Sequence, residues 1–406
     1  RVGATITPPS DSYGVGNSEF GYSVAASGDG TRIAIGAPGI PGTYPYYGQG
    51  QYGGSVYIYD WNSSTNAWVL DTRIVSPNTS GYNKSGNGTN GRFGHSVSMS
   101  SDGNRVVVGV PHYGSVGVTT GRVHVYERDT NNWTEMNGGV ESYGNGDLAS
   151  SVLQFSSNQP TAKFGHSVSM SSDGNRIAVG APGFTWHESG NLANQNPEHG
   201  CALVYDWNGS TGVGKWHRGN SSFAEASIAH HTTVTHVAGG PSYGTNSGWS
   251  VSISGDGSRM IVGAPRYHAP NEQTIVRGCA AVYDIAGAAT MPPTSIVGPG
   301  SNSNPPVIYE TDGSKQFELG RDVDISNDGN RIAVSGYFLN GETLTGNSVT
   351  SCGIVRTYHW SVEVDDQPPP VGTGPTPNGT FRWNRMGMKT RSNVGGVSSG
   401  IDTSST

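Results

Sequence analysis

Apolar and polar positions recur along this chain in one long pattern, five times over. Phe20 to Pro38 reads FGYSVAASGDGTRIAIGAP, Phe93 to Pro111 reads FGHSVSMSSDGNRVVVGVP, and Phe164 to Pro182 reads FGHSVSMSSDGNRIAVGAP. Ser247 to Pro265 is a fourth copy, and Leu319 to Tyr337 is a more degenerate fifth. The first arm of each copy alternates, as in His95, Val97 and Met99 against Ser96, Ser98 and Ser100, which is the period of a strand. Ser-Asp-Gly-Asn then supplies a tight turn, with Gly at the position needing φ > 0. The second arm, such as Arg176 to Gly180, is nearly continuous apolar, as in a strand covered on both faces.

A third strand follows each hairpin, at Gly54 to Trp61, Gly121 to Arg128, Gly200 to Trp207, Gly278 to Ile285 and Gly353 to Trp360. A weaker fourth comes after it, for instance Trp68 to Val75. The turn aspartates Asp29, Asp102, Asp173, Asp256 and Asp328 lie 73, 71, 83 and 72 residues apart. Four antiparallel strands repeated at that interval predict an all-β chain, a β-propeller of five four-stranded blades. The last unit ends near Ser361 without an obvious fourth strand, while Thr5-Ile-Thr-Pro8 resembles the fourth-strand text Arg73-Ile-Val-Ser-Pro77. Residues 1–8 are therefore expected to pair with Gly353 to Trp360 and close the ring, removing an open sheet edge. The propeller is assigned to residues 1–361, and residues 362–406 to a Pro/Gly-rich linker and an extended C-terminal tail.

The Phe-Gly pairs at 20–21, 93–94 and 164–165, with Gly-Ala-Pro at 36–38, 180–182 and 263–265, resemble the FG-GAP repeats of integrin-α-like propellers. The resemblance covers roughly residues 1–361 and implies the propeller fold. Integrin propellers have seven blades, so the chain departs in blade number. The family's calcium loop is shortened here to Ser-Asp-Gly-Asn-Arg with one carboxylate, and a Ca²⁺ cage needs about 6–8 oxygens. No calcium and no other cofactor is expected to carry over.

Composition narrows the function classes. Of 406 residues, 62 are Gly and 13% are charged; the net charge is -7 with 23 Lys and Arg, too few for a basic nucleic-acid-binding face. No run of about 18 apolar residues is present, so no membrane-spanning helix is expected. The chain starts at Arg1, not Met, and is read as a mature secreted polypeptide with its targeting peptide removed, hence extracellular. Sequons stand at Asn62, Asn78, Asn83, Asn87, Asn132, Asn208, Asn220 and Asn378, several of them at hairpin tips or between blades, and these are expected to carry glycans.

The recurring turn Asp and the following Arg are read as serving the repeat, not one active site. Glu19, Glu318, Asp322 and Asp324 are non-repeating acids near the innermost strands, and Asp322 and Asp324 share a strand face with Asp328 close in sequence. No nucleophile, base and orienting group assemble from the text, so the chain is read as not an enzyme. His230, His231 and His236 fall in a linker without Cys or carboxylate at ligand spacing. His95 and His166 occupy the position of Tyr22 and Trp249 and are read as packing residues. Cys201, Cys279 and Cys352 are expected to stay free, because equivalent third-strand positions lie beyond disulfide reach.

The tail changes character. Residues 378–406 carry four basic residues and one acid, net +3, leaving -10 on residues 1–377 to give the total of -7. Phe381, Trp383, Met386 and Met388, interleaved with Arg382, Arg385, Lys389 and Arg391, are expected to dock on the acidic body of a second copy by strand addition. Head-to-tail docking of that kind generates filaments. The function expected is a secreted, glycosylated protein that assembles into an extracellular filament or matrix. The alternative is a monomeric adhesion or lectin-like propeller binding glycan or a matrix protein.

Overall fold

The structure, a computed structural model, describes residues 3–9, 18–39, 53–77, 91–113, 119–130, 132–136, 153–154, 161–184, 200–208, 215–218, 244–267, 276, 278–285, 307–308, 318–338, 341–342, 348–349, 352–362 and 381–385. Among them every regular element is a strand. The first sheet holds β1 (Ser23–Ala26), β2 (Arg32–Ala37), β3 (Ser55–Asn62) and β4 (Ala67–Val75). The second holds β5 (Ser96–Met99), β6 (Arg105–Val110), β7 (Arg122–Asp129) and β8 (Asn132–Glu135), with β9 (Leu153–Gln154) also on β7. The third runs β10 (Ser167–Met170), β11 (Arg176–Ala181), β12 (Cys201–Asn208) and β13 (Lys215–Arg218). The fourth runs β14 (Ser250–Ile253), β15 (Arg259–Ala264), β16 (Cys279–Asp284) and β17 (Val307–Ile308). The fifth combines β18 (Asp322–Ile325), β19 (Arg331–Phe338), β22 (Cys352–Val362) and β23 (Phe381–Arg385), with a small hairpin of β20 (Gly341–Glu342) and β21 (Ser348–Val349) inserted. The architecture is all-β and propeller-like: antiparallel sheets, each built on four strands ordered as in sequence, with their first strands facing a common channel.

Each hairpin turn is closed by the side chains that the repeat preserves. Ser27 Oγ donates to Asp29 Oδ1 at 2.6 Å and accepts from the Arg32 amide at 3.0 Å, while Asp29 Oδ1 also accepts from the Thr31 amide. The same network is built on Ser100/Asp102, Ser171/Asp173, Ser254/Asp256 and Ser326/Asp328. Those bonds hold Asp29 at a pKa of about 2, the Ser27 hydroxyl being the largest cause. The aspartate and serine thus satisfy backbone groups of a turn too tight to satisfy itself.

Neighbouring sheets pack by a second repeated device. Val97 and Met99 of β5 bury against Ala34, Val56 and Ile58 of the first sheet. Val168 and Met170 do the same against Val107, Val123 and Val125 of the second. Backbones approach so closely there that a Cβ at Gly36 would stand 2.1 Å from the Gly94 carbonyl oxygen. Ser23 Oγ donates to that same carbonyl at 2.8 Å. The recurring arginine ties the seam at its turn end. Arg32 makes a bidentate pair with Asp60 of its own sheet at 2.6 and 3.0 Å, donates to Gly103 O of the next turn at 3.0 Å, and lies over Trp133. Arg105, Arg176 and Arg259 make the equivalent bonds to Gly174, Gly257 and Gly329, which is a structural role.

Two expectations are corrected. Residues 1–8 were expected to complete the fifth sheet, but its fourth strand is Phe381–Arg385, paired antiparallel with Tyr358–Val362. The register explains the choice. Trp61 faces Trp68, Trp207 faces Trp216, and Trp360 faces Trp383, so a Trp in the fourth strand opposite the third-strand Trp marks the partner. The N-terminal segment has no Trp and instead lies on the first sheet, with Ile6 against its Tyr57 and Tyr59 cluster and Gly3 against Trp61. Second, with its backbone engaged by β22, Phe381–Arg385 is not a free strand for a neighbouring copy.

Candidate binding site in the axial channel

The first strands β1, β5, β10, β14 and β18 surround a cavity of about 730 Å³. One residue per sheet, the one after each Phe-Gly-type pair, forms its rim: Tyr22, His95, His166, Trp249 and Arg321. The alternation of the inner strand decides what points inward. Because Val97 and Val168 must bury against the preceding sheet, the serines and acids between them face the channel. Its wall below the rim is therefore Ser96, Ser167, Ser169, Ser250 and Ser252, with Asp322 and Asp324 on β18.

The rim is an ordered relay of rings. Tyr22 Oη donates to His95 Nε2 at 3.2 Å, and His95 Nδ1–H donates to the His166 carbonyl at 3.1 Å. His166 Nδ1–H donates to the Trp249 carbonyl at 2.9 Å, and the His166 and Trp249 rings lie 4.5 Å apart. Burial, reinforced by His166, Arg92 and His112, holds the His95 pKa down at about 3. Burial also holds His166 at about 4, against the opposing bond to Trp249 O. Both imidazoles are neutral at physiological pH, so they act as hydrogen-bonding ring faces rather than cations. Arg321 lies over Trp249 at 4.9 Å and pairs with Glu318 at 2.6 Å, which neutralises its charge locally.

The acids singled out in the sequence therefore separate. Glu19 is bound to Arg92 and Glu318 to Arg321, whereas Asp322 and Asp324 reach the channel and are exposed. Ser250 Oγ donates to Asp322 at 3.1 Å and Ser252 Oγ to Asp324 at 2.9 Å. Asp328 sits in the hairpin turn, held by Ser326 and the Asn330 amide. Among the described residues, no three His, Cys, Asp or Glu side chains converge as a metal site. His230, His231 and His236 lie outside the described residues. Such a channel can bind a hydroxyl-rich group through hydroxyls, carboxylates and stacked ring faces.

His95 and His166 pack, as expected, but at the rim of a cavity and not in a core. The signal was present in the repeat: the residue after Phe-Gly varies among Tyr, His, Trp and Arg while its neighbours barely change. Asn62 and Asn132 are exposed, and Asn208 ends β12. Asn78, Asn83, Asn87, Asn220 and Asn378 lie outside the described residues. Of the expected docking side chains, Phe381, Arg382, Trp383 and Arg385 belong to β23; Met386, Met388, Lys389 and Arg391 lie outside the described residues. Cys201 and Cys279 are fully buried on β12 and β16, and burial pushes the Cys279 thiol pKa up. Among the described residues no helix is long and apolar enough to cross a membrane.

No family model and no curated protein matches the chain. Among solved structures, a periplasmic gluconolactonase from Pseudomonas aeruginosa is 12% identical with a TM-score of 0.41, over 89% of this chain and 71% of that one. A candidate 6-phosphogluconolactonase from Bacteroides uniformis is 10% identical with a TM-score of 0.36, over 81% and 70%. A candidate TolB from Agrobacterium tumefaciens is 10% identical with a TM-score of 0.34, over 83% and 76%. Two of these three are named as lactonases, and on that finding the expectation that the chain is not an enzyme is withdrawn. At this identity the likeness concerns the fold, and no activity is assigned in its place.

Proposed function

We propose that the five sheets are the blades of an FG-GAP-type propeller, secreted and glycosylated, that works as an adhesion or lectin-like binding module. Its ligand is a neutral, polyhydroxylated group, such as the end of a glycan, held at the rim of the axial channel. The observation that carries this reading is the convergence of Tyr22, His95, His166 and Trp249 above a wall of serines with Asp322 and Asp324. Ring faces cover the apolar face of a sugar, while carboxylates and hydroxyls accept and donate to its hydroxyls. Calorimetric titration against a panel of neutral oligosaccharides tests it. Binding is expected to weaken at least tenfold in Trp249→Ala and in Asp324→Asn; a ligand bound equally well by both variants overturns the reading.

Head-to-tail assembly is a second reading, favoured by the net charge of +1 on residues 386–406 against -8 on residues 1–385. It now rests on Met386, Met388, Lys389 and Arg391 reaching an acidic neighbour. Truncation after Arg385 is expected to abolish concentration-dependent association seen by light scattering. Association that survives the truncation overturns it.

A further inference from the structure

Four seams join the five blades, and each mates a leading face with the trailing face of the next blade. The leading face needs a glycine, at Gly36, Gly109, Gly180 and Gly263, because the next blade's glycine carbonyl lies 2.0–2.1 Å from where a Cβ would stand. It also presents an arginine held by an acid of its own blade. The trailing face offers an inner-strand valine and a turn carbonyl that accepts from that arginine. Blade 1 has a trailing face of this kind, with Phe20, Gly21, Val24 and Gly30 in place. Yet Val24 is 68% exposed, where its counterparts Val97, Val168, Val251 and Val323 are 6–8% exposed. A Cβ at Gly21 would meet nothing within 4 Å, whereas one at Gly94 would meet the Ser55 carbonyl at 2.7 Å.

Blade 5 carries the remaining leading face, and its chemistry does not match. Ser335 stands where the other four blades have glycine, so its Cβ fills the space the incoming carbonyl takes. His359 faces Arg331 where Asp60, Glu127, Asp206 and Asp284 face the other arginines. Among the described residues His359 Nδ1 is buried without a hydrogen-bond partner. Thr357 replaces the apolar residue that Ile58 supplies in blade 1, and Val355 is 65% exposed. Among the described residues, a second copy of the chain offers this same mismatched face.

We infer that the trailing face of blade 1 is an interaction surface for a repeat blade other than these five. That blade presents glycine at the position of Gly36, serine at that of Ser23, and an arginine–carboxylate pair at those of Arg32 and Asp60. Continuity with four established seams identifies the occupant: the arginine bond to the next turn's carbonyl recurs in all four, and the serine bond to the glycine carbonyl in three of them. The inference rests on the blade reading but not on the ligand proposed for the channel, so failure of the sugar titration leaves it standing.

The full chain tests it by gain of function. Val24→Cys is labelled with a maleimide in two backgrounds and followed by peptide mass spectrometry. One background is otherwise unaltered. The other carries Asp322→Ser, Ser335→Gly, Thr357→Ile and His359→Asp, which give blade 5 the leading face of the other repeats. The introduced thiol is expected to react rapidly in the first and at least tenfold more slowly in the second. Protection within a monomer or within a head-to-tail oligomer, distinguished by light scattering, supports the inference equally. Slow reaction in the first background, or equal rates in both at high protein concentration, overturns it. Should the rewritten chain not fold, Val24→Asp and Val97→Asp decide: the first is expected to leave the urea midpoint unchanged and the second to lower it strongly. An equal loss in both overturns the inference.

Discussion

Replacing Arg32 by Ala removes the bidentate pair with Asp60, the bonds to the Gly103 carbonyl and to Asn104 Oδ1 of the next sheet, and the cation–π contact with Trp133 5.8 Å away. Asp60 retains 37% side-chain exposure, so the ion pair is screened and contributes only about 1 kcal/mol. The bond to Gly103 contributes about 1 kcal/mol, and the stacked guanidinium about 0.5 kcal/mol. The expected loss is therefore about 2–3 kcal/mol. Arg331 occupies the same repeat position but faces His359, and among the described residues its side chain reaches no carbonyl of a following blade. Arg331→Ala should change stability by less than about 0.5 kcal/mol, as for an exposed surface position. Urea unfolding followed by both tryptophan fluorescence and far-UV dichroism measures the two, with coincident transitions required before free energies are compared. A cycle with Asp60→Asn should return a coupling of about 1 kcal/mol with Arg32. Equal losses at Arg32 and Arg331 would refute the reasoning, because they would show that the arginine acts within its turn and not across the seam.

Three other outcomes follow from the same geometry. Gly180→Ala puts a Cβ 2.0 Å from the Gly248 carbonyl and should cost more than about 3 kcal/mol, whereas Ser335→Gly should be near neutral; thermal melts of both variants check this. His95 and His166 have folded pKa values of about 3 and 4, below the ordinary 6.5, so the unfolded chain takes up protons first as pH falls. Stability should be full above pH 6.5 and decline below it, by up to about 1.4 kcal/mol per pH unit per ring, until pH approaches those folded values. The double variant His95→Gln, His166→Gln should flatten that limb in urea midpoints taken from pH 7 to pH 4. Asn62 and Asn132, exposed on the first and second sheets, should carry glycans in native material, and intact mass equal to the bare polypeptide would contradict this.

The hairpins were legible because every local signal agreed: alternating inner strand, Ser-x-Asp-Gly turn and apolar second strand all recur in the sheets. The fourth strand of the fifth sheet was misread because Thr-Ile-Thr-Pro matches other fourth strands only in texture. Pairing follows from cross-strand tryptophans that lie far apart in sequence, and Trp383 stands 23 residues after Trp360 beyond a proline-rich stretch. The rim was half-legible. Alignment of the repeats put Tyr22, His95, His166 and Trp249 at one position, but only the arrangement of the first strands shows that this position faces a cavity. The mismatch of blade 5 was visible as Ser335 and His359; its meaning required the 2.0–2.1 Å approach at the other seams.

The binding role proposed for the channel is tested most directly at Trp249, the rim indole among the described residues. The chain has 9 tryptophans, whose indole N–H signals can be followed by NMR during titration with neutral oligosaccharides. The Trp249 signal should shift together with the imidazoles of His95 and His166, while Trp61, Trp68 and Trp133 on the outer strands stay unmoved. Shifts confined to the outer-strand indoles, or no shift across the panel, would contradict it.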